Sequence, residues 1–267
     1  MRLFDAHDHL QNYPGEKETA EALAAASAAG IKLMLCNGTH PGDWEKVLAL
    51  AGCKGVVPFF GLHPWFLDKA QDGWPVLLKD FLLRTSSGVG EIGLDKAIAA
   101  DLDKQEEVFK VQLRIARELR RPVSIHCVRA WGRLVEIIKE ERPGAFLLHA
   151  YGGPPELMGE LAGLGAYFSF GARLLDPERG KLRKALKAAP PDRLLFETED
   201  PESGLGPLQL AELIRIAAGA LGQSPEALSE LGWNNGEAFL GSMLLNGQDP
   251  VMDKGAGQVS AVPFRKV

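Results

Sequence analysis

Two of the six histidines in this 267-residue chain stand two positions apart, His7 and His9, in the segment Phe4-Asp5-Ala6-His7-Asp8-His9-Leu10. An extended strand repeats its side-chain direction every second residue, so the two imidazoles can converge on one metal ion. Taken alone, the pair reads equally well as two exposed or core-satisfied rings. Other ligand types fall at the ends of other short apolar runs: Glu91 in Gly88-Val89-Gly90-Glu91-Ile92-Gly93-Leu94-Asp95, His126 after Pro122-Val123-Ser124-Ile125, and His149 after Ala145-Phe146-Leu147-Leu148. An acidic segment, Leu195-Phe196-Glu197-Thr198-Glu199-Asp200-Pro201, closes a last run. Each residue singly is explained by a structural hydrogen bond. As a set gathered on one rim, unpaired carboxylates would repel one another and resist desolvation. Two divalent ions supply the missing positive charge, and nitrogen with carboxylate oxygen suits zinc, manganese or, with more waters, magnesium. A carboxylate such as Glu91 can bridge two ions, the arrangement that activates water on one side and neutralises a leaving oxygen on the other. Gly90 and Gly93 would let the backbone approach closely, ordinary turn geometry being the plain alternative.

The elements that must position these groups alternate short apolar runs with longer amphipathic segments to about Leu221, the pattern of βαβ units and a parallel sheet. Strands are expected at Leu3 to His7, Ile31 to Cys36, Gly55 to Leu62, Gly88 to Ile92, Pro122 to Cys127, Ala145 to Ala150, Ala166 to Phe170 and Arg193 to Thr198. Eight such strands fit an α/β fold of the TIM-type (β/α)8 barrel, whose active sites lie at the C-terminal ends of the strands. Helices are expected at Glu18 to Ala29 with Gly30 as its C-terminal glycine, at Asp101 to Leu119 with Val108, Val111, Ile115 and Leu119 in phase, and at Leu208 to Leu221 and Pro225 to Leu240. Residues 1–240 form one barrel domain in this reading. Residues 241–267 lose periodicity and read as a tail.

The ordered set of motifs resembles the TatD-like metal-dependent hydrolases, deoxyribonucleases within the wider amidohydrolase barrel group. The resemblance runs from Phe4 to about Phe239 and adds Gly61-Leu62-His63-Pro64 and His149-Ala150-Tyr151-Gly152-Gly153 to the segments above. It implies a binuclear site bound by His7, His9, Glu91, His126, His149 and an acidic residue of the last strand, and hydrolysis of phosphodiester bonds. It also implies that His63 contacts the scissile phosphate or leaving group rather than a metal, with a capping or core histidine before Pro64 as the alternative. The family's final motif commonly reads Glu-Thr-Asp, whereas here Glu199 stands at the aspartate position and Asp200 follows. Strand alternation puts Glu199 in phase with Glu197 and favours it as ligand and base, while Asp200 competes if the strand is already ending. The family often carries an arginine two residues after the histidine matched by His126. Here Arg129 comes three residues after, as a phosphate contact or a surface cation. The lysine that many related barrels carbamylate between two metals is missing from the fourth strand.

Composition narrows the partners. Hydrophobic residues make up 46% and charged residues 24%, a soluble globular balance. No apolar run approaches the roughly 20 residues that cross a bilayer and no signal pattern opens the chain, so a cytoplasmic protein without membrane partners is expected. Cys36, Cys53 and Cys127 lack CxxC spacing and read as reduced thiols, with Cys127 facing the helices. The net charge of −5 argues against broad capture of nucleic acid but leaves room for local binding of a DNA or RNA end. The basic stretch Arg179 to Lys187 reads as a solvated helix face, and His40 as structural. Trp65 and Phe66 can stack a nucleobase, burial under a loop being the commoner fate of such a pair. A small-molecule hydrolase acting on an amide, lactone or phosphoester is the second reading, because one barrel rim supports many chemistries. A metal-binding protein with little catalysis is the third.

Overall fold

The structure, a computed structural model, describes residues 1–199, 206 and 209–241. The expected tail beyond Gly241, the competing Asp200 and the first residue of the helix expected from Leu208 therefore lie outside the described residues. Eight strands, β1 (Leu3–Asp8), β2 (Ile31–Asn37), β3 (Val56–Phe60), β4 (Gly88–Asp95), β5 (Val123–Val128), β6 (Phe146–Leu148), β7 (Ala166–Phe170) and β8 (Leu194–Phe196), pair in parallel in sequence order. Between and after them run α1 (Glu16–Ala29), α2 (Trp44–Leu50), α3 (Trp74–Arg84), α4 (Leu102–Leu119), α5 (Trp131–Glu141), α6 (Met158–Gly163), α7 (Gly180–Ala188), α8 (Leu210–Leu221) and α9 (Pro225–Leu240). This is the TIM-type barrel. Gly30 ends α1 in the left-handed conformation, φ 90°, as its position after the last helical residue required.

Closure of the barrel rests on a few residues beyond the short β8. The Glu199 amide donates to the His7 carbonyl at 2.9 Å, and its carbonyl accepts from the His9 amide at 3.0 Å. Beside it the fully buried Asp5 accepts from the Thr198 amide at 2.9 Å and from the Thr198 hydroxyl, which also lies 2.9 Å from Asp8 Oδ2. One hydroxyl carries one hydrogen, so the two carboxylates cannot both be served by it while ionised. Burial and the neighbouring Asp8 raise the Asp5 carboxyl well above its ordinary value, and a proton held on Asp5 resolves the contact.

Aromatic and aliphatic residues fill the barrel interior, among them Phe4, Val57, Phe59, Leu147, Tyr167 and Leu195, and Phe239 and Leu240 of α9 plug the end where the strands begin. A second, larger core lies between strands and helices. The stripe that α4 buries differs from the apolar one expected. It runs through Gln105, Phe109, Gln112, Leu113, Ile115 and Ala116, while Val108, Val111 and Leu119 are only half-buried. The two glutamines are accommodated because each pins a strand-end backbone in both directions. Gln105 bonds the amide and carbonyl of Asp95 at 2.7 and 3.0 Å, and Gln112 those of Leu62 at 2.7 and 3.0 Å.

Helix α9 lies against β1 so closely that a Cβ on Gly236 would sit 2.4 to 2.6 Å from the Phe4 ring, whereas one on Gly232 would meet only Phe196, at 3.9 Å. Alanine normally favours a helix interior over glycine by about 1 kcal/mol. Gly232→Ala should therefore leave the melting temperature unchanged or raise it. Gly236→Ala should destabilise by about 1–3 kcal/mol through overpacking, measured by chemical or thermal unfolding.

Candidate metal centre

At the ends of β1, β3, β4, β5 and β6, five imidazoles surround one buried carboxylate, that of Glu91. Its Oε2 lies 3.1 Å from His9 Nε2 and 3.4 Å from His7 Nε2, and its Oε1 lies 2.8 Å from His149 Nε2, 3.1 Å from His126 Nδ1 and 3.2 Å from His63 Nε2. Glycines make the close approach possible. A Cβ on Gly90 would lie 2.7 Å from Ser124 Cβ, one on Gly61 would lie 2.7 Å from the Gly90 and Glu91 backbone, and one on Gly93, φ 149°, would lie 1.9 Å from the His126 carbonyl oxygen. The backbone-approach reading of Gly90 and Gly93 thus describes their surroundings.

What each ring turns inward is decided by what faces its outer nitrogen, since a neutral imidazole donates from one nitrogen and accepts at the other. His9 Nδ1 lies 2.7 Å from the Asn37 carbonyl, a contact shorter than the 3.3 Å to the Gln11 amide, so Nδ1 carries the hydrogen and the lone pair of Nε2 points inward. His126 Nε2 faces Asp95 Oδ2 at 3.3 Å, which turns the Nδ1 lone pair inward. The buried His149 Nδ1 and Glu197 Oε1, neither with another hydrogen-bond partner among the described residues, face each other at 3.7 Å. His7 Nδ1 lies 2.9 Å from the Ser124 hydroxyl, which can accept. His63 is the exception. Its Nδ1 accepts from the Trp65 amide at 3.1 Å, so its inward Nε2 carries the hydrogen.

When neutral, the other four rings turn lone pairs toward the carboxylate within one small volume. His7 Nε2 and His9 Nε2 are 3.1 Å apart, His126 Nδ1 and His149 Nε2 3.2 Å apart. Nitrogen ligands on a tetrahedral ion at about 2.0–2.1 Å stand about 3.3 Å from each other, so these separations and this donor set fit divalent ions. The ligand atoms of His7, Glu91 and His149 lie within 4.8 Å of one another, as do those of His63, Glu91 and His126. Proximity alone would make His63 a ligand, contrary to the role expected for it. Its hydrogen-bond partner argues for a donor instead.

Protonation follows the same contacts. Burial pushes His7 and His63 down to about 4, keeping both neutral. Burial also opposes charge on His9, yet the Glu91 carboxylate outweighs it and lifts that ring to about 9, and Glu91 with Glu197 lifts His149 well above its ordinary value. Burial would raise Glu91, but His149 and the other rings hold it well below the usual carboxylate range. Asp95, despite some burial, is held at about 2 by His126 and the Trp65 indole, which donates to it at 2.7 Å.

Glu199 is partly exposed and belongs to neither ligand trio. β8 ends at Phe196 rather than Thr198, and Glu199 adopts φ 72°, so the strand alternation expected to align it with Glu197 does not operate. Burial and then the Glu197 charge raise its carboxyl. It lines a rim cavity with Tyr151, Gly171 and Arg173. Arg129 is exposed just after β5 in the left-handed region, φ 56°. Trp65 is 57% exposed rather than buried, with Phe66 half-buried beside it, and half-buried Cys127 packs against the outer core. His40 stands edge-on to Phe66, and its Nδ1 accepts from the Gly42 amide.

The pattern defining the TatD related DNase family matches residues 4–241. The chain belongs to this family. Its relatives include the 3'-5' ssDNA/RNA exonuclease TatD of Salmonella typhimurium, 30% identical over 213 residues covering 74% of this chain and 79% of that protein. The human deoxyribonuclease TATDN3 is 26% identical over 218 residues, covering 76% and 79%. Among solved structures, the TatD homolog YjjV of Escherichia coli K12 superposes with a TM-score of 0.83 at 25% identity, covering 90% of this chain and 98% of that one.

Sequence reasoning gave no role to Asp95, although it lies four residues from Glu91 on the same strand and so shares its face by the two-residue period. Outer partners of metal-ligating histidines typically contribute ten- to a hundredfold in metal affinity. Asp95→Asn should weaken zinc or manganese binding by about that factor in a chelator competition, with the fold retained. Unchanged affinity would show that the carboxylate does not set the His126 tautomer.

Proposed function

We propose that Glu91 bridges two divalent ions, one held with His7 and His9 and the other with His126 and His149, and that the site hydrolyses the terminal phosphodiester bond of a single strand of DNA or RNA. Family membership makes the chain a metal-dependent hydrolase acting on phosphodiester bonds. The observation that carries the finer reading is the set of four ring nitrogens divided between the two oxygens of one buried carboxylate, His7 and His9 at Oε2 and His126 and His149 at Oε1. Zinc, manganese or magnesium bound there would supply Lewis acidity to water and to the phosphate oxygens.

The chain's own groups do the rest. His63, neutral and with its hydrogen on Nε2, donates toward a phosphate or leaving oxygen. Glu199 takes the proton of the attacking water at a carboxylate oxygen, and its raised carboxyl brings it nearer the pH at which a general base works best. Arg173, on the same rim cavity, and the exposed Arg129 offer guanidinium forks that match phosphate. The exposed indole of Trp65, held by Asp95, offers a face on which a base can stack.

Hydrolysis of a short single-stranded oligonucleotide with manganese or zinc, against a panel of simple esters, amides and lactones, tests the substrate class. Oligonucleotide turnover from one end is expected, and turnover of the small esters alone would overturn it. His63→Ala should retain metal while losing turnover, and a lowered melting temperature with normal specific activity would make His63 structural. Glu199→Gln should lower kcat by about a hundredfold to ten-thousandfold, more than Asp200→Asn. The reverse ranking transfers the base to Asp200.

A further inference from the structure

Four arginines meet at the end of the barrel opposite the metal centre. Arg117, Arg120, Arg121 and Arg142 line a cavity of about 300 Å³ where β5 and β6 begin, beside the C-terminal end of α9. Its volume reaches the lower end of the range of small-molecule sites. No acidic side chain lines it among the described residues, in a chain of net charge −5.

The ordinary reason for cations here is that α4, α5 and α9 all end at this face, and helix C-termini attract positive charge. That reason does not account for what is present. Three termini contribute about half a negative charge each, against four full guanidinium charges. Arg117 is engaged with the Glu141 carbonyl, and Arg121 donates to the Leu82 carbonyl at 3.0 Å. The Glu141 carboxylate is taken by Arg114 in a two-pronged contact, with the Arg117 guanidinium 4.0 Å from it. Arg120 and Arg142 have no carboxylate within 4.0 Å among the described residues, and the buried Nε of Arg121 has no hydrogen-bond partner.

The backbone adds an independent observation. Arg120 and Arg142 are the C-caps of neighbouring helices and both adopt left-handed conformations, φ 53° and 47°. Glycine takes that cap position without steric penalty, as Gly30 and Gly222 do on α1 and α8. At two adjacent helix ends a long cation stands instead, and both residues line the same cavity.

We propose that this cavity is a second ligand site, independent of the metal centre, for a small phosphomonoester such as a nucleoside monophosphate. Guanidinium forks match phosphate oxygens two at a time, and four of them line this one cavity. The site is too far from the metal centre to share one ligand with it, since it opens where the strands begin and the centre lies where they end.

Calorimetric titration of the full-length protein with adenosine monophosphate at low ionic strength tests this, with divalent metal and again after chelation. Binding that survives chelation, with a dissociation constant below about 1 mM, is expected of the wild type. The double variant Arg120→Gly/Arg142→Gly should weaken that metal-independent binding at least tenfold, keep its melting temperature or raise it, and hydrolyse oligonucleotide at the wild-type rate. Absence of metal-independent binding in the wild type, or equal binding in the variant, would overturn the proposal and leave the arginines as helix-end cations.

Discussion

A single buried carboxylate organises the centre of this protein. Glu91 is surrounded by nitrogen and is 3% exposed. A buried carboxylate in that position must be neutralised by protons on the rings or by cations between them. The rings answer unequally. His9 and His149 are drawn toward protonation by the carboxylate, while His7 and His63 stay neutral under burial. Metal binding therefore competes with protons at part of the ligand set, and uptake of ions displaces them.

The outer contacts of the rings matter as much as the inner ones. Asn37, Ser124, Asp95 and Glu197 face the nitrogens pointing away from Glu91, and they come from β2, β5, β4 and the loop after β8. The centre is thus a property of the closed barrel rather than of one motif. Closure itself passes through the loop that carries Glu199, whose backbone bonds to His7 and His9. The residue proposed as base is fixed by the same hydrogen bonds that join the last strand to the first.

Much of this was legible in the sequence because barrels repeat one unit. Apolar runs located all eight strands, and ligand-type residues at their ends located the rim. Three features were hidden. The buried stripe of α4 contains Gln105 and Gln112, which hydropathy assigns to the surface and which are inside because strand-end backbone groups need partners. β8 stops three residues before Glu199, and no periodicity signals where a short strand gives way to a loop. Trp65, expected under a loop, is instead held at the surface by Asp95, a contact between residues 30 apart in sequence. His63 shows the reverse case: family resemblance separated it from the ligands, proximity groups it with them, and only the amide of Trp65 beside its Nδ1 supplies a physical reason to keep it apart.

The most direct measurement is the anomalous scattering of crystals loaded with zinc or manganese, collected at the metal edge. The account predicts two peaks per chain on either side of the Glu91 carboxylate, one coordinated by His7 and His9, the other by His126 and His149, with His63 bound to neither. A single peak, or two peaks of which one takes His63 Nε2 as a ligand, would contradict the assignment of inward lone pairs on which the centre is built.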